Sequence, residues 1–365
     1  MSCSDHLPIF LRELPKCEHH LHIEGTLSPE LLFSLASKNS IPLPADDPAF
    51  ASPTTLKARY ENFASLDDFL HYYFIGFKVL TNASDFEALT YDYIQHAAAQ
   101  NVKHAEIFFD PQAHTERGIT YDTLISGLKA AKTRATTAFT DMSIEFIPCL
   151  VRHLPVPTAH TMLEEIVSAG HFHDGTVIGF GMSSTEKDMH PSLFSPVYKA
   201  AQEAGIENLT AHYGEEGPAS YMEAAIEQLS VVRVDHGRRV TEDPSLVARL
   251  AESKLMLTLC PVSNVVLRGV SRIEDLPIRE LLDKGVRFSI NSDDPAYFGA
   301  DILENYEAVQ MAFNLTIPEW EGIALGSIEG SWCNETRKQE LRQMVRDVVQ
   351  KFSPRRLPQG GYDEM

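Results

Sequence analysis

Cysteines are few in this sequence, and their arrangement excludes two common uses. The chain has five, an odd number, and no two form a C-x-x-C motif. A disulfide framework or a cysteine-based zinc site needs cysteines paired at short spacings. We therefore expect free thiols and a cytoplasmic protein, with the nucleus as the other reducing compartment that fits. Cys17, Cys149 and Cys260 fall in apolar runs, where a thiol packs as a small buried hydrophobe.

Positive charge is also scarce, which excludes some classes of partner. Lysine and arginine number 31 against 51 aspartates and glutamates, for a formal net charge of −20. Such a surface repels a phosphate backbone and an anionic membrane, so we expect neither nucleic acid nor membrane as a partner. No apolar run is long enough to span a bilayer, and the first residues lack the basic and apolar segments of a signal peptide. The expected partner is a small molecule.

Strand-like and helix-like segments alternate through most of the 365 residues. Such alternation is typical of parallel βαβ units, and eight of them predict a (β/α)8 TIM-type barrel with additional helices. We expect one domain over 1–365, with a short arm at 1–15, the barrel at about 16–300, C-terminal helices at about 301–353 and a tail at 354–365. The predicted strands are 16–22, 102–109, 143–151, 177–181, 209–212, 231–236, 255–260 and 286–291.

An insertion after the first strand is predicted to be mainly helical. A Pro- and Asp-rich loop at 41–54 precedes a helical pattern over 55–100. That pattern carries a large apolar and aromatic set, which we expect to be mostly core, with a minority lining a ligand pocket. The set includes Phe63, Leu66, Phe69, Leu70, Tyr73, Phe74 and Phe77.

Two histidines end the first predicted strand. His20 and His22 are two residues apart, so in a strand their imidazoles point to the same face. Neutral imidazole is a preferred ligand for zinc. An isolated H-x-H is more often a packed or surface histidine pair, so this motif needs support from the rest of the chain.

That support comes from where other polar residues fall. His212 and His236 end the fifth and sixth strands, and the pair Asp293-Asp294 follows the eighth. The carboxyl ends of all strands meet at one mouth of such a barrel, where the chemistry is placed. Three imidazoles and a carboxylate at this mouth would form a site for a divalent cation. Zinc fits this ligand set best, with an open position for water.

The remaining polar residues suggest hydrolysis at an electron-poor carbon. Glu215, three residues past His212, is close enough to donate and accept a proton beside the metal. His236 can hold and deprotonate the metal-activated water. One carboxylate of the Asp pair can bind the metal while its neighbour faces the ligand.

Five motifs occur in order along the chain: E-x-H-x-H-x-E-G from Glu18, H-x-G-E from His212, D-H-G from Asp235, C-P-x-S-N from Cys260 and S-D-D-P from Ser292. Together they resemble the adenosine/adenine deaminase family of the amidohydrolase superfamily, over residues 16 to about 300. The resemblance implies a zinc-dependent barrel enzyme, with one Zn2+ per chain, that replaces the 6-amino group of a purine with oxygen.

The resemblance also implies a role for each site residue. His20, His22, His212 and Asp293 would be the zinc ligands. Glu215 would protonate the purine N1, and His236 would orient and deprotonate the zinc-activated water. Asp294 would hydrogen-bond the ring N7, which requires that either Asp294 or N7 of the bound adenine carries a proton. Ser184 would contact the purine N3.

Glu24 makes the chain similar to the fungal-type adenine deaminase branch of this family. The nucleoside enzymes usually carry a shorter Asp there, and the longer side chain can occupy the ribose space. The implied reaction is the hydrolysis of adenine to hypoxanthine and ammonia in purine salvage. Tyr213, Ser183 and His19 depart from the family pattern. His19 is one strand step from His20, so we expect it to point away from the metal. Tyr213 and Ser183 adjoin catalytic segments, so N6-substituted adenines and adenosine stay open as alternative substrates. A catalytically silent scaffold protein is a third alternative, although such a protein has no need to keep Glu215.

Overall fold

The computed structural model of the chain describes residues 6–352, so the predicted tail at 354–365 lies outside the described residues. Eight short strands form the centre of the fold. They are β1 (Lys16–Glu18), β2 (Val102–Phe109), β3 (Ser143–Val151), β4 (Gly181–Ser183), β5 (Thr210–Tyr213), β6 (Arg233–His236), β7 (Met256–Leu259) and β8 (Phe288–Ile290).

The strands form a closed, all-parallel ring. β1 to β4 pair in chain order, and so do β5 to β8. A parallel bridge between Phe180 and Leu209 joins the two sheets at one seam, and a bridge between Leu21 and Asp293 joins them at the other. The predicted (β/α)8 barrel is therefore confirmed. The second seam matters for function, because it brings the H-x-H motif against the Asp pair.

Helices surround the barrel. They are α1 (Leu7–Glu13), α2 (Pro29–Asn39), α3 (Pro53–Tyr60), α4 (Leu66–Gly76), α5 (Ala83–Ala99), α6 (Pro111–Thr115), α7 (Tyr121–Ala138), α8 (Val156–Ser168), α9 (Ser195–Glu203), α10 (Ala219–Ala224), α11 (Pro244–Ser253), α12 (Pro261–Val266), α13 (Ile278–Lys284), α14 (Pro295–Phe298), α15 (Ile302–Phe313), α16 (Ile317–Gly330) and α17 (Glu335–Phe352). Of these, α15 to α17 are the predicted C-terminal additions.

Local sequence explains why several of these helices begin where they do. Before α2, the Ser28 hydroxyl accepts the Leu31 N–H, and Pro29 occupies the first helical turn. Before α16, the Thr316 hydroxyl accepts the Glu319 N–H while the Glu319 carboxylate accepts the Thr316 N–H. This capping box satisfies donors that a helix start otherwise leaves free.

Several predicted boundaries were wrong. The first strand ends at Glu18 rather than at 22, because the chain then turns to bridge the eighth strand. The fourth strand is Gly181–Ser183 rather than 177–181. The predicted arm at 1–15 contains α1, and the predicted loop at 41–54 contains a 3-10 turn, Pro48–Ala51.

The misplaced fourth strand has a cause in its hydrogen bonds. Val177 and Ile178 are apolar like a buried strand, and the Ile178 N–H donates to the Phe146 carbonyl, but the Ile178 carbonyl accepts the Asn208 side-chain amide in place of a ladder bond. A Cβ on Gly179 would lie 2.6 Å from the Asn208 carbonyl oxygen, so glycine permits the close approach of this segment to the chain before β5. Apolar runs of this length do not by themselves distinguish paired from unpaired chain.

Apolar side chains fill most of the space between the strands and the helices. In the C-terminal additions, Trp320 is fully buried and stacks on Tyr306, with ring centroids 4.9 Å apart. Cys17, Cys149 and Cys260 are buried free thiols, as predicted. Within residues 6–352, no helix combines the length and apolarity that crossing a bilayer requires. The assignment of the chain to one domain stays a prediction.

Candidate active site

A pocket opens at the carboxyl ends of the strands and gathers most of the predicted site residues. Its volume is about 420 Å3, including its open mouth. Its polar wall is formed by His22, Asp110, Ser183, Ser184, His212, Glu215, His236, Asp293 and Asp294, and its apolar wall by Leu66, Phe69, Leu70, Tyr73, Phe74 and Leu267. The members of the predicted apolar and aromatic set that lie in α4 all line the pocket, which is more than the minority expected. Phe69 and Tyr73 also belong to the core, as predicted.

The histidines that follow β1 form one buried cluster with those of β5 and β6. The Nε2 atoms of His22 and His212 are 2.9 Å apart. The rings of His20, His212 and His236 form a triangle, with centroids 4.4 to 5.3 Å apart. Ligand atoms of His20, His22 and His212 all lie within 4.8 Å of one another. Burial lowers the pKa of His22 and of His212 well below its ordinary value, which favours the neutral imidazole that binds metals.

Asp293 completes this cluster from the eighth strand. Its Oδ1 lies 3.3 Å from Nε2 of His20 and 3.7 Å from Nε2 of His22. Its backbone N–H donates to the His20 carbonyl, and its own carbonyl accepts the His22 N–H. Its φ of +66° is unusual outside glycine, and such conformations concentrate at functional sites. Burial alone would raise the pKa of Asp293, but the adjacent His20 imidazole holds it well below its ordinary value.

Supporting hydrogen bonds fix the direction of these side chains. Nδ1 of His20 meets the Thr258 hydroxyl at 2.8 Å, which directs Nε2 into the cluster, where it has no hydrogen-bond partner among the described residues. The Ser263 hydroxyl donates to Oδ2 of Asp293 at 2.6 Å. Asp235 stands behind His212, with its Oδ2 3.4 Å from Nδ1 of that ring. Metal-binding histidines are typically oriented by such outer contacts, so the cluster fits a divalent ion.

Two carboxyl groups beside the cluster favour the protonated form. Burial, reinforced by the negative charge of Asp293, raises the pKa of Glu215 and of Asp294 well above the ordinary value. Oε2 of Glu215 lies 3.4 Å from Nε2 of His236. Asp294 packs against Gly25 so closely that a Cβ there would lie 1.9 Å from Oδ1 of Asp294. Only glycine leaves room for the Asp294 carboxyl at this position.

Ser184 lies directly after β4 on the pocket wall. Its φ is +82°, a strained conformation for serine. Its hydroxyl meets Nδ1 of His153 at 2.7 Å. The structure thus brings Ser184 to the same pocket as Glu215, His236 and Asp294, although the strand before it begins four residues later than predicted.

Asp110 is a pocket residue that the sequence analysis missed. It is 3% exposed and follows β2, the position that marked the other candidates, so the same rule of polar residues at strand ends would have found it. Its Oδ1 accepts the Ser183 hydroxyl at 2.9 Å, and its N–H donates to Oε1 of Glu24 at 3.1 Å. Oε1 of Glu24 also meets Nε2 of His114 at 2.8 Å. Glu24 is fully buried behind this wall.

The three departures from the family pattern have different surroundings. Tyr213 is buried outside the pocket wall, where its hydroxyl donates to the Met189 carbonyl and its ring faces Arg152. His19 points away from the cluster, as predicted, and its Nε2 meets the Ser331 hydroxyl at 2.7 Å. Ser183 alone of the three lines the pocket.

Known proteins provide an independent comparison. The family described as Adenosine deaminase matches residues 15–348. A protein of Schizosaccharomyces pombe named adenine deaminase is 53% identical over 349 residues, which is 95% of each chain. The crystal structure of adenine deaminase from Arthrobacter aurescens is 39% identical, with a TM-score of 0.86, over 92% of this chain and 99% of that one. An amidohydrolase from Burkhoderia ambifaria, solved with bound Zn, is 28% identical, with a TM-score of 0.84, over 94% of this chain and 93% of that one. The chain belongs to the adenosine deaminase family.

Proposed function

We propose that this chain is an adenine deaminase, which hydrolyses adenine to hypoxanthine and ammonia in purine salvage. The observation that carries the proposal is one pocket in which a metal-type cluster adjoins two buried carboxyl groups, Glu215 and Asp294, whose pKa values are raised by burial. Its support from known proteins is a relative named adenine deaminase at 53% identity and a structure so named at 39%.

The metal we propose is Zn2+, one per chain, held by His20, His22, His212 and Asp293. The support is the chemistry of the donors, three imidazoles and an ionised carboxylate, and the bound Zn named for the Burkhoderia ambifaria amidohydrolase. A bound zinc ion lowers the pKa of water and makes hydroxide available near neutral pH.

Glu215 and His236 move the protons. A protonated Glu215 gives its proton to N1 of adenine, which withdraws electrons from C6 and prepares that carbon for attack. His236, whose pKa burial lowers well below its ordinary value, is a neutral base that holds the attacking water and accepts its proton. The C6–O bond forms as the water adds, and the C6–N6 bond breaks when the amino group leaves as ammonia. One water is consumed, and hypoxanthine is the purine product.

Asp294 and Ser184 hold the ring. The raised pKa of Asp294 supports the first of the two protonation alternatives, in which its carboxyl donates to N7 of adenine. Its Oδ1 has no partner among the described residues, so it can engage a ligand. Ser184, with its side chain on the opposite loop, contacts N3. We propose these contacts together because both residues line the same pocket as Glu215.

The free base is the preferred substrate in this proposal. Asp110 lines the pocket, and Glu24, buried behind it, accepts the Asp110 N–H and so holds Asp110 in space that a ribose would need. Tyr213 does not line the pocket, so it no longer suggests a substituted adenine. We also propose a cytoplasmic location, which suits the free thiols of Cys17, Cys149 and Cys260.

Turnover of adenine, adenosine, AMP and an N6-alkyl adenine by the purified chain tests the proposal. Release of ammonia or amine and the ultraviolet change of the purine are followed side by side. We expect adenine to have the highest kcat/KM. A higher kcat/KM for an N6-alkyl adenine or for adenosine would make that compound, rather than adenine, the substrate. No turnover of any of the four compounds by a zinc-loaded chain would favour the scaffold alternative.

Metal content tests the ligand set separately. Asp293→Ala removes the one anionic donor, so elemental analysis of the purified variant should give less than one zinc per chain. The matched control is Asp235→Asn, which changes a carboxylate behind His212 rather than a proposed ligand. Full zinc occupancy in Asp293→Ala would remove Asp293 from the ligand set.

A further inference from the structure

The carboxylate of Glu186 is buried between the loops that follow β4 and β5. Its residue is 1% exposed. Oε2 accepts the Gly214 N–H at 3.1 Å, and Oε1 accepts the N–H groups of Glu215 at 2.7 Å and Glu216 at 2.9 Å. Consecutive N–H groups that converge in this way form an anion-binding concavity, and hydrogen bonds to a charged acceptor are stronger than neutral ones. One side chain therefore fixes the backbone on which Glu215 is carried.

The same two loops are tied in the reverse direction. Oε2 of Glu216 accepts the Glu186 N–H at 3.1 Å and the Thr185 hydroxyl at 2.9 Å. A Cβ on Gly217 would lie 2.4 Å from Oε2 of Glu186, so glycine permits this close approach. The two loops are thus held as one unit by two carboxylates that each accept from the other's loop.

The far side of Glu215 is held as well. Nη2 of Arg238, which follows β6, donates to the Glu215 carbonyl at 2.5 Å. The peptide N–H of Glu215 is held by Glu186 and its peptide C=O by Arg238. These contacts leave the Glu215 side chain as the part of the residue that faces the pocket.

Glu186 itself does not reach the ligand space. It is not among the residues that line the pocket, and its two oxygens already accept three backbone hydrogen bonds. Ser184, two residues earlier, does line the pocket and has a strained φ of +82°. A strained residue persists only where its surroundings hold it, and Glu186 and Thr185 supply anchors directly after it.

We propose that Glu186 is a positioning residue that sets the place of the Glu215 carboxyl and ties it to the Ser184 segment, so that N1 and N3 of one bound purine are met together. This inference rests on the proposed function, in which Glu215 donates the proton. The length of the Glu186 side chain sets the position of the Glu215 carboxyl. A misplacement of such a group by about 1 Å costs on the order of a hundredfold in rate.

Three substitutions separate the effect of the length of the Glu186 side chain from the effect of its charge. Glu186→Ala removes the acceptor, and kcat per bound zinc should fall on the order of a hundredfold. Glu186→Gln keeps the length and one oxygen for the Glu215 and Glu216 N–H groups, so its loss should be smaller. Glu186→Asp keeps the charge but is one methylene too short, so it should resemble Glu186→Ala. The expected order of kcat is Glu, then Gln, then Asp and Ala.

Glu216→Gln is the matched control. It weakens the reverse tie but leaves all three N–H bonds to Glu186, so kcat should fall less than in Glu186→Gln. Zinc per chain, KM for adenine and thermal midpoint are measured for every variant. A purely structural role would lower the zinc-loaded fraction and leave turnover per bound zinc unchanged.

Each outcome decides between the alternatives. Unchanged turnover per bound zinc in Glu186→Ala overturns the positioning role, and so does an Asp variant faster than the Gln variant, because charge rather than reach would then matter. Should Glu186→Ala fail to fold, the order of Gln and Asp still decides. If Glu215→Gln keeps its turnover, the proposed function fails first. If Glu215→Gln is inactive while Glu186→Ala is normal, only the present inference fails.

Discussion

Glu106 and Glu215 are both buried glutamates with a histidine neighbour, but they lie in different parts of the barrel. Glu106 is in β2 and forms an ion pair with Arg233, the first residue of β6. Burial alone would raise its pKa, but the Arg233 guanidinium and His104 lower the pKa of Glu106 below its ordinary range. Glu215, at the mouth, has the charge of Asp293 nearby instead, and burial and that charge raise its pKa.

The difference shows what separates a structural carboxylate from a reactive one in this fold. A buried carboxylate beside a cation stays ionised and serves as a fixed tie between elements. A buried carboxyl beside another acid retains its proton and can give it to a ligand. Trp332 supports the structural pair, because its ring centroid lies 3.8 Å from the Arg233 guanidinium carbon and its backbone N–H donates to Glu106.

Glu215→Gln should give the largest effect on catalysis. The amide keeps the shape of the side chain but has no acidic proton for N1, so kcat should fall about a hundredfold or more. Zinc content and thermal midpoint should stay close to those of the parent chain. Turnover of adenine and elemental analysis of the same preparation measure both, and near-normal turnover would contradict the assignment of the acid.

Arg233→Met should lower stability and leave catalysis nearly unchanged, the reverse of Glu215→Gln. It leaves the Glu106 charge buried without its cation, so the free energy of unfolding should fall by about 3–5 kcal/mol. Turnover per folded, zinc-loaded chain should change little, since Arg233 does not line the pocket. Denaturant unfolding measures the loss, and the double variant Glu106→Gln/Arg233→Met is the control that should recover part of it. A stable Arg233→Met chain with impaired turnover would contradict the structural role of the Glu106–Arg233 ion pair.

Glu24→Asp should change substrate preference more than rate. The shorter side chain cannot reach both the Asp110 N–H and His114, so the wall beside the pocket loosens and leaves room for a ribose. The ratio of kcat/KM for adenine over adenosine should fall about tenfold, which corresponds to roughly one hydrogen bond. Glu24→Gln, which keeps the length, is the control. An unchanged ratio in Glu24→Asp would mean that another group excludes the ribose.

Tyr213→Phe should give the smallest effect, although Tyr213 follows the zinc-ligand candidate His212 directly. Among residues 6–352 its hydroxyl bonds only to the Met189 carbonyl, so its removal should cost about 1 kcal/mol of unfolding free energy. The order of preference among adenine, adenosine and an N6-alkyl adenine should not change. A shift in that order, measured by the same turnover assay, would place Tyr213 in the substrate site.

Much of the fold and most of the candidate site could be predicted from the sequence, because both follow from the regular alternation of strands and helices along the chain. Eight alternations of apolar strand and amphipathic helix predicted the barrel. Polar residues at strand ends predicted that His20 would lie beside both His212 and Asp293, because parallel strands deliver their carboxyl ends to one mouth. Asp110, directly after β2, is also a polar residue at a strand end, so the same pattern could have identified it.

The remaining errors have a physical cause that no local pattern contains. Val177 and Ile178 resemble a strand, but the Ile178 carbonyl accepts the side-chain amide of Asn208, and the paired segment begins only at Gly181. The aromatic set of α4 resembles core, and only its place over the mouth makes it a pocket wall. Burial of an apolar face stabilises a helix equally well in either setting.

The residue types at the strand ends follow from the sequence alone, and they set the kind of chemistry that the mouth can perform. The fold adds the neighbours that raise the pKa of one acid and lower that of another, and the contacts that hold each backbone in place. Glu106 and Glu215 are the same residue type, and the guanidinium beside one and the carboxylate near the other come from distant parts of the chain. Protonation and position depend on neighbours in space, which a linear pattern does not specify.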